Sequence, residues 1–410
     1  MAPQRVRLGL ERLVEDPALV KGRRVGVLAN QASVTSRLEP AWRAIARGGA
    51  EVVRIFAPEH GLWGVAQDME SVGEEKEPAL GVPVVSLYGS TAATLTPRHV
   101  DLADLDALVV DLPDIGCRYY TFAATVAHAM AACEASRVEM IVCDRPNPVG
   151  GVALEGGPVE PTFRSFVSEL PVPIRHGMTL GELALLVRSA RHPALALSVV
   201  TCDGWHRESW WDETGLPWVA PSPNMPSLTA AAVYPGACLV EATNLSEGRG
   251  TTRPFQLIGA PWLDAEALAA RLEEIGLPGA GFRATRFRPQ FGKHSGSVCG
   301  GIEWHVTDRR SMRPLEAGIR LLAGVRALHP REFSWRHEAY EFVSGVPAID
   351  LLTGSAAARE VIEGRADPEE LLARWNRYCE EFQLSRAAFL LYPETAHGRA
   401  SGSSRPPEAA

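Results

Sequence analysis

The chain has 410 residues, a net charge of −8 and a pI near 5.8, which leaves no cationic footprint for nucleic acid or an anionic membrane. Its 46% hydrophobic and 22% charged residues are ordinary for a folded globular protein, the length predicts two domains, and no window reaches the roughly 18 consecutive apolar residues that span a bilayer. The seven cysteines are odd in number and lack CxxC or CxxH spacing, which fits reduced thiols better than a disulfide framework or a metal centre.

From Met1 to Leu10 there is no apolar core of signal-peptide length before the charged Glu11 and Arg12, so the expected location is cytoplasmic. An apolar run over residues 23–29 predicts a buried strand that ends in Asn30-Gln-Ala-Ser33. A helix is expected over 38–47. A second strand over 51–57 stops at Pro58 and delivers Glu59, His60 and Gly61 directly after it. A short strand over 82–88 precedes Gly89, and another over 105–114 ends in Asp111 and Asp114, followed by Arg118, Tyr119 and Tyr120. After a helix over 121–135, a strand over 138–143 ends in Asp144, Arg145 and Asn147, with Gly150 and Gly151 beyond. Strands alternating with helices predict β-α-β units and a parallel, Rossmann-like sheet. The polar residues at the strand ends then gather along one edge, where open α/β sheets hold their ligands. This first domain is expected to span 1–151.

Beyond Gly151 the pattern changes to a mixed α/β domain expected over 152–392. Residues 163–176 and 219–226 are rich in proline and polar residues and read as long loops; the second contains Asn224. Helices are expected over 179–191, with Thr179 as cap and Glu182 at the capping-box position, and over 264–275, 314–328 and 368–382. Strands are expected over 196–202, 237–241, 281–287 and 300–306. Residues 393–410 are expected to form a disordered tail, being rich in Gly, Ser, Pro and Arg from His397 onward. The densest polar segment of this half is Leu239 to Phe255, read as a strand entering a loop with Glu241, Asn244, Ser246, Glu247, Arg249 and Thr251. Gly248 and Gly250 allow close backbone approach, and the hydroxyl, amide and guanidinium groups suit a sugar or an anion.

Eight ordered blocks carry a family resemblance: Pro58-Glu-His-Gly61, Ser86-Leu-Tyr-Gly89, Asp111-Leu-Pro-Asp-Ile-Gly-Cys-Arg-Tyr-Tyr-Thr121, Asp144-Arg-Pro-Asn-Pro148, Arg175-His-Gly-Met-Thr179, Pro221-Ser-Pro-Asn-Met-Pro226, Asn244-Leu-Ser-Glu-Gly-Arg-Gly-Thr251 and His305-Val-Thr-Asp-Arg309. Over about residues 5–392 the chain resembles the peptidoglycan exo-β-N-acetylmuramidases of the NamZ type, long catalogued as a domain of unknown function. The resemblance implies a Rossmann-like domain joined to an auxiliary α/β domain with the active cleft between them. It also implies release of N-acetylmuramic acid from the non-reducing end of peptidoglycan fragments, in cell-wall recycling. Leu62-Trp63 stands where the family pattern has Phe and a basic residue, which puts one subsite contact in question.

Glycoside cleavage ordinarily needs one protonated and one ionised carboxyl. Glu59, beside apolar Phe56, Leu62 and Trp63, is the expected acid, since desolvation raises a carboxyl pKa. Glu247, Asp111 and Asp114 are the candidates for the second group, in that order, and retaining, inverting and substrate-assisted chemistry all stay open. Arg118, Arg145 and Arg249 are candidates to read the lactyl carboxylate of muramic acid, each equally suited to hold a structural Asp. Tyr119 and Tyr120 are candidates to stack on a sugar, and His60 to orient Glu59 or touch substrate. Asp144, Asn147, Asn224, Asn244, Ser246 and Thr251 complete the expected substrate-binding set. The histidines lie in separate blocks without metal spacing, so no metal is expected. Val25 to Ser33 has a single glycine, inside the strand, so no dinucleotide cofactor is expected either. A small amino-sugar substrate is the expected partner. Two rival readings remain at this level: a sugar-binding protein without catalysis, and a metal-dependent phosphoesterase.

Overall fold

A computed structural model describes residues 5–73 and 75–395. Seven strands make the main sheet: β1 (Arg24–Ala29), β2 (Glu51–Ala57), β3 (Glu75–Lys76), β4 (Pro83–Ser86), β5 (Ala107–Asp111), β6 (Glu139–Cys143) and β7 (Leu197–Val200). Their spatial order is β3-β4-β2-β1-β5-β6-β7, and every pairing is parallel except the β3–β4 edge. The chain begins at β1, moves out to β4, then returns to β5 on the other side, so the switch point of the topology lies between β1 and β5. Side-chain alternation sorts the strands onto two faces. Val25, Val27, Val109 and Ile141 pack with Trp42 and Ile45 of the helix Ala41–Arg47. Leu28, Leu108, Val110 and Met140 pack with Phe122, Val126 and Met130 of the helix Phe122–Ser136.

The helix Leu180–Arg191 covers the same sheet and starts as the sequence indicates. Thr179 Oγ1 accepts from the Glu182 N–H (3.2 Å), and the Glu182 carboxylate accepts from the Thr179 N–H (3.0 Å). β7 follows this helix and pairs with β6. The parallel sheet therefore draws a strand from well beyond residue 151, and a domain boundary at 151 would cut it.

A second sheet is antiparallel, with β8 (Leu257–Ala260), β9 (Ala280–Phe287) and β10 (Cys299–Val306) in the order β8-β10-β9. The helix Ala265–Ile275 packs against β9 and β10, and the helix Pro314–Leu328 packs against that helix. The α/β class read from the sequence, a Rossmann-like parallel sheet with a second mixed α/β unit, is the one observed. Residues 237–241, expected as a strand, are instead a 3-10 turn, Cys238–Ala242, that continues the buried helix Leu228–Ala237. Ser227 caps that helix through the Ala230 N–H (3.2 Å). A short apolar run does not by itself separate strand from buried helix, and the alanines after Ser227 decide for helix. Gly236 lies against backbone atoms of Pro314 and Gly318, a helix contact too close for any Cβ. The helix expected over 368–382 runs on to Arg386, whose guanidinium donates to the carbonyls of His176 (3.1 Å) and Gly177 (2.8 Å).

One buried cluster joins Leu28 and Phe56 of the first sheet to Ile302 and Trp304 of the second, so the two halves share a core. Pro393 and Glu394 still accept backbone bonds from Arg207 and Glu208; the rest of the expected tail, 396–410, lies outside the described residues. Among the described residues no helix is long and apolar enough to cross a membrane.

Candidate active site

β2 ends at Ala57, and the chain turns at once through Pro58, Glu59, His60 and Gly61. His60 and Gly61 have φ of 71° and 77°, the left-handed region that a non-glycine residue rarely occupies. The His60 ring helps hold the turn, since its Nδ1 lies 2.9 Å from the Ala66 carbonyl. This backbone sets Glu59 at the mouth of the sheet. There Glu59 Oε2 accepts from the Thr121 hydroxyl (2.7 Å) and Oε1 from the Met69 N–H (3.1 Å). Thr121 comes from the loop after β5, so the ends of two strands converge on one carboxylate.

Glu59 and His60 line a pocket whose side chains are largely buried. One wall is aromatic: Tyr119 and Tyr120 pack on Tyr234 at 5.8 and 5.9 Å between ring centres, and Tyr234 on Phe255 at 4.8 Å. Among the described residues the Tyr120 hydroxyl, beside Ser222, has no hydrogen bond of good geometry. The lining is also ionic, with Arg249 among Asp68, Glu241 and Glu341. Arg249 lies 2.6 Å from Glu241, 3.3 Å from Asp68 and 3.2 Å from Glu247, with its guanidinium 5.2 Å from the Phe255 ring centre. Tyr340 donates to Glu241 Oε2 (2.8 Å) and Tyr88 to Glu341 Oε2 (2.8 Å). Burial raises the Glu241 carboxyl above its ordinary value even with Arg249 beside it. Residues 59–167 supply one side of the pocket and 222–341 the other, so it sits where the two halves meet.

Of the sixteen residues singled out from the sequence, the fold thus gathers five around this pocket: Glu59, His60, Tyr119, Tyr120 and Arg249. Asn224 stands nearby, its amide donating to Gln67 (2.8 Å). The others have structural partners. Asp111 takes the bidentate fork of Arg145 at 2.6 and 2.7 Å, with both side chains buried. Asp114 accepts from the Gly116 N–H (2.7 Å) and lines a separate, largely apolar cavity at the switch point with Arg145, Trp211 and Trp218. Arg118 donates to the carbonyls of Gly157, Val172, Leu352 and Thr353, and burial draws its guanidinium down to about 10. Asp144 accepts from Thr179, Gly181 and Tyr392, and burial raises it to about 6.

Asn147 donates to the Met178 carbonyl, and Asn244 both donates to the Glu332 carbonyl and accepts from Ser334. Ser246 and Thr251 brace the turn around Gly248. Glu247, the expected second catalytic group, is not in the pocket lining: Lys293 (3.1 Å) and Arg249 hold it. Burial alone would raise its carboxyl, but those two charges outweigh burial and keep it below the ordinary value. Leu62 is buried and Trp63 packs edge-on against Trp42; neither lines the pocket.

Sequence reasoning missed Asp68, Thr121 and Glu341 as site residues, and named Glu241 only as part of a loop. Thr121 was legible, since it ends the block after β5. Glu341 sits in a segment without periodicity, and nothing local marks it.

Two family models cover the chain almost end to end: exo-beta-N-acetylmuramidase NamZ, N-terminal, over residues 25–229, and the C-terminal counterpart over 232–392. The chain belongs to the NamZ family. It is 38% identical over 390 residues to the peptidoglycan beta-N-acetylmuramidase NamZ of Bacillus subtilis (strain 168), covering 95% of this chain and 92% of that protein. Two solved structures of DUF1343 family proteins from Bacteroides fragilis NCTC 9343 are also similar. One has a TM-score of 0.85 at 32% identity, covering 95% of this chain and 99% of its own. The other has a TM-score of 0.73 at 28% identity, covering 96% and 100%. The junction between the two NamZ models, at 229–232, falls after β7 and keeps the parallel sheet whole. The pocket spans that junction, with Ser222 and Met225 before it and Tyr234 and Glu241 after it.

Proposed function

We propose that this chain is an exo-acting glycosidase that releases N-acetylmuramic acid from the non-reducing end of peptidoglycan fragments. Its family and the name of its Bacillus subtilis relative support the reaction. The observation that carries the reading is the pocket, whose largely buried lining combines aromatic rings, carboxyls and an arginine. A few polar and charged groups set among aromatic side chains is the make-up of a small-ligand site, and it suits a terminal amino sugar. Exo attack requires that the site take a chain terminus and exclude the interior of a strand. Glu59, set at the end of β2 and held by two donors, is the catalytic carboxyl we place first.

Among the described residues that line the pocket, Arg249 is the one Arg or Lys. Three of its five N–H groups face carboxylates, which leaves donors for a lactyl carboxylate. A charge-assisted bond of about 1.5–3 kcal/mol corresponds to roughly a ten- to hundredfold preference in kcat/KM for muramic-acid over N-acetylglucosamine glycosides. Chromogenic glycosides of the two sugars, assayed side by side, measure it. Arg249→Lys, which keeps the charge on Glu241 and Glu247 but loses the fork, should narrow the preference. Equal rates on both sugars in the wild type would remove Arg249 from this role. Binding without turnover on either would make the protein an amino-sugar binder.

The seven cysteines are all buried and unpaired, which supports a reducing compartment. The reading therefore places the enzyme in the cytoplasm, acting on imported wall fragments. Fractionating unlysed cultures tests this: most of the activity should stay with the cells, and activity mainly in the medium would overturn it.

A further inference from the structure

The enclosed pocket and an open groove beside it share one lining residue, Glu341. On the pocket side stand Glu59, Asp68 and Glu241. On the groove side are Phe166, Phe342, His128 and His192, with Arg164 and Arg191 both paired to Glu169. An exo-acting glycosidase has this two-part requirement: the sugar it releases is enclosed, the remainder of the substrate runs outward, and the scissile oxygen lies at the boundary. We propose that Glu341 donates the proton to that oxygen, with Glu59 as its ionised partner, while the groove holds the departing sugar beside Phe342. The proposal rests on the glycosidase reading above and adds the division of labour within it.

Three observations support it. Tyr340 and Val343 exchange backbone hydrogen bonds (2.9 Å each), which makes Glu341 and Phe342 the two central residues of a tight hairpin turn. Their φ values are 45° and 66°, conformations that Asn-Gly or Asp-Gly normally supplies at such turns. A turn that keeps Glu-Phe against this preference keeps it for what the side chains do. Second, Tyr88 holds Glu341 Oε2 at 2.8 Å and packs on Phe342 at 5.4 Å between ring centres. Oε1 makes no hydrogen bond to the described residues and is left for a ligand. Third, burial and the charge of Glu59 push the Glu341 carboxyl well above the carboxylate range, against the Tyr88 hydrogen bond, with Glu241 and Asp68 adding to the rise. Glu59, by contrast, accepts from two donors, the Thr121 hydroxyl and the Met69 N–H.

In the step this implies, the Glu341 proton passes to the glycosidic oxygen as the bond from that oxygen to the anomeric carbon breaks. The leaving sugar keeps the bonding pair and departs as an alcohol. Water bonds to the anomeric carbon and gives a proton to Glu59, and exchange with solvent then takes that proton from Glu59 and returns one to Glu341.

The leaving group provides the test. Glu341→Gln should lower kcat/KM on an N-acetylmuramyl-N-acetylglucosamine disaccharide by about 100- to 10,000-fold. On a dinitrophenyl muramide, whose leaving group departs without protonation, the loss should stay below about tenfold, because only the acid contribution is removed. Glu59→Gln should lose activity on both substrates. The alkaline limb of the wild-type pH profile should disappear in Glu341→Gln on the activated substrate. Glu341→Asn, better suited to a left-handed backbone, guards against a folding defect, and both variants are melted beside the wild type. Equal losses on the two substrates in both folded variants, no loss on either, or the leaving-group signature in Glu59→Gln would overturn the assignment. A wild type inactive on both substrates would instead bring down the glycosidase reading itself.

Discussion

Glu59→Gln is expected to lower kcat by about 100- to 10,000-fold, the range of a lost acid–base group, while the protein melts as the wild type does. The expectation of an intact fold comes from the two hydrogen bonds. A glutamine can keep its oxygen on the Met69 N–H and turn its amide to the Thr121 hydroxyl, which then accepts where it had donated. No buried polar atom is orphaned, so the expected stability change stays within about 1 kcal/mol. What is lost is the negative charge at the end of β2 and its capacity to take a proton. Because that deficit does not depend on the leaving group, aryl glycosides and disaccharides should suffer alike. A loss of less than about tenfold, against the 100-fold lower bound for a group in that role, would move the chemistry to another carboxyl of the pocket, Glu241 or Asp68. A large loss accompanied by a lower melting temperature would mean that the turn through His60 depends on the charge.

The sequence made the parallel sheet legible because its strands are apolar on both faces and end abruptly in polar residues. The Glu59-His60-Gly61 turn was visible for the same reason. A polar residue at a strand end is not thereby in the pocket, however. Asp111, Asp144 and Arg145 are at the ends of β5 and β6, yet they bind one another's loops and close the sheet edge. Burial makes this pairing obligatory, since an ionised group out of water needs a partner, and sequence spacing alone does not reveal which partner it finds. Glu341 was illegible for the opposite reason. It reaches the pocket from 282 positions beyond Glu59 through a two-residue turn, and its meaning comes from Tyr88 and Glu59, which the chain brings near only when folded. The strand wrongly expected over 237–241 hid Glu241 in the same way, by assigning a helical residue to the approach of a loop.

Arg145→Met should be the most damaging single change to stability among these residues, at about 3–5 kcal/mol, the cost of leaving one member of a buried ion pair uncompensated. Burial pushes the Asp111 carboxyl up and the Arg145 fork pulls it down. The bidentate geometry, 2.6 and 2.7 Å, is that of an ionised pair. Removing the guanidinium strands that carboxylate in a place without water and also frees the Val34 carbonyl, which Arg145 holds at 2.7 Å. The double variant Asp111→Leu with Arg145→Met should recover much of the loss, since an apolar replacement of a buried pair is often close to neutral. It should not recover all of it, because the Val34 carbonyl stays without its donor. Thermal and denaturant melts of the two singles and the double give the coupling directly. At a temperature where each variant is folded, activity should stay near the wild-type level, since neither residue lines the Glu59 pocket. If Asp111→Asn kept its melting temperature and lost about 100-fold or more in kcat, a loss of catalytic size, Asp111 would belong to the chemistry and not to the sheet edge.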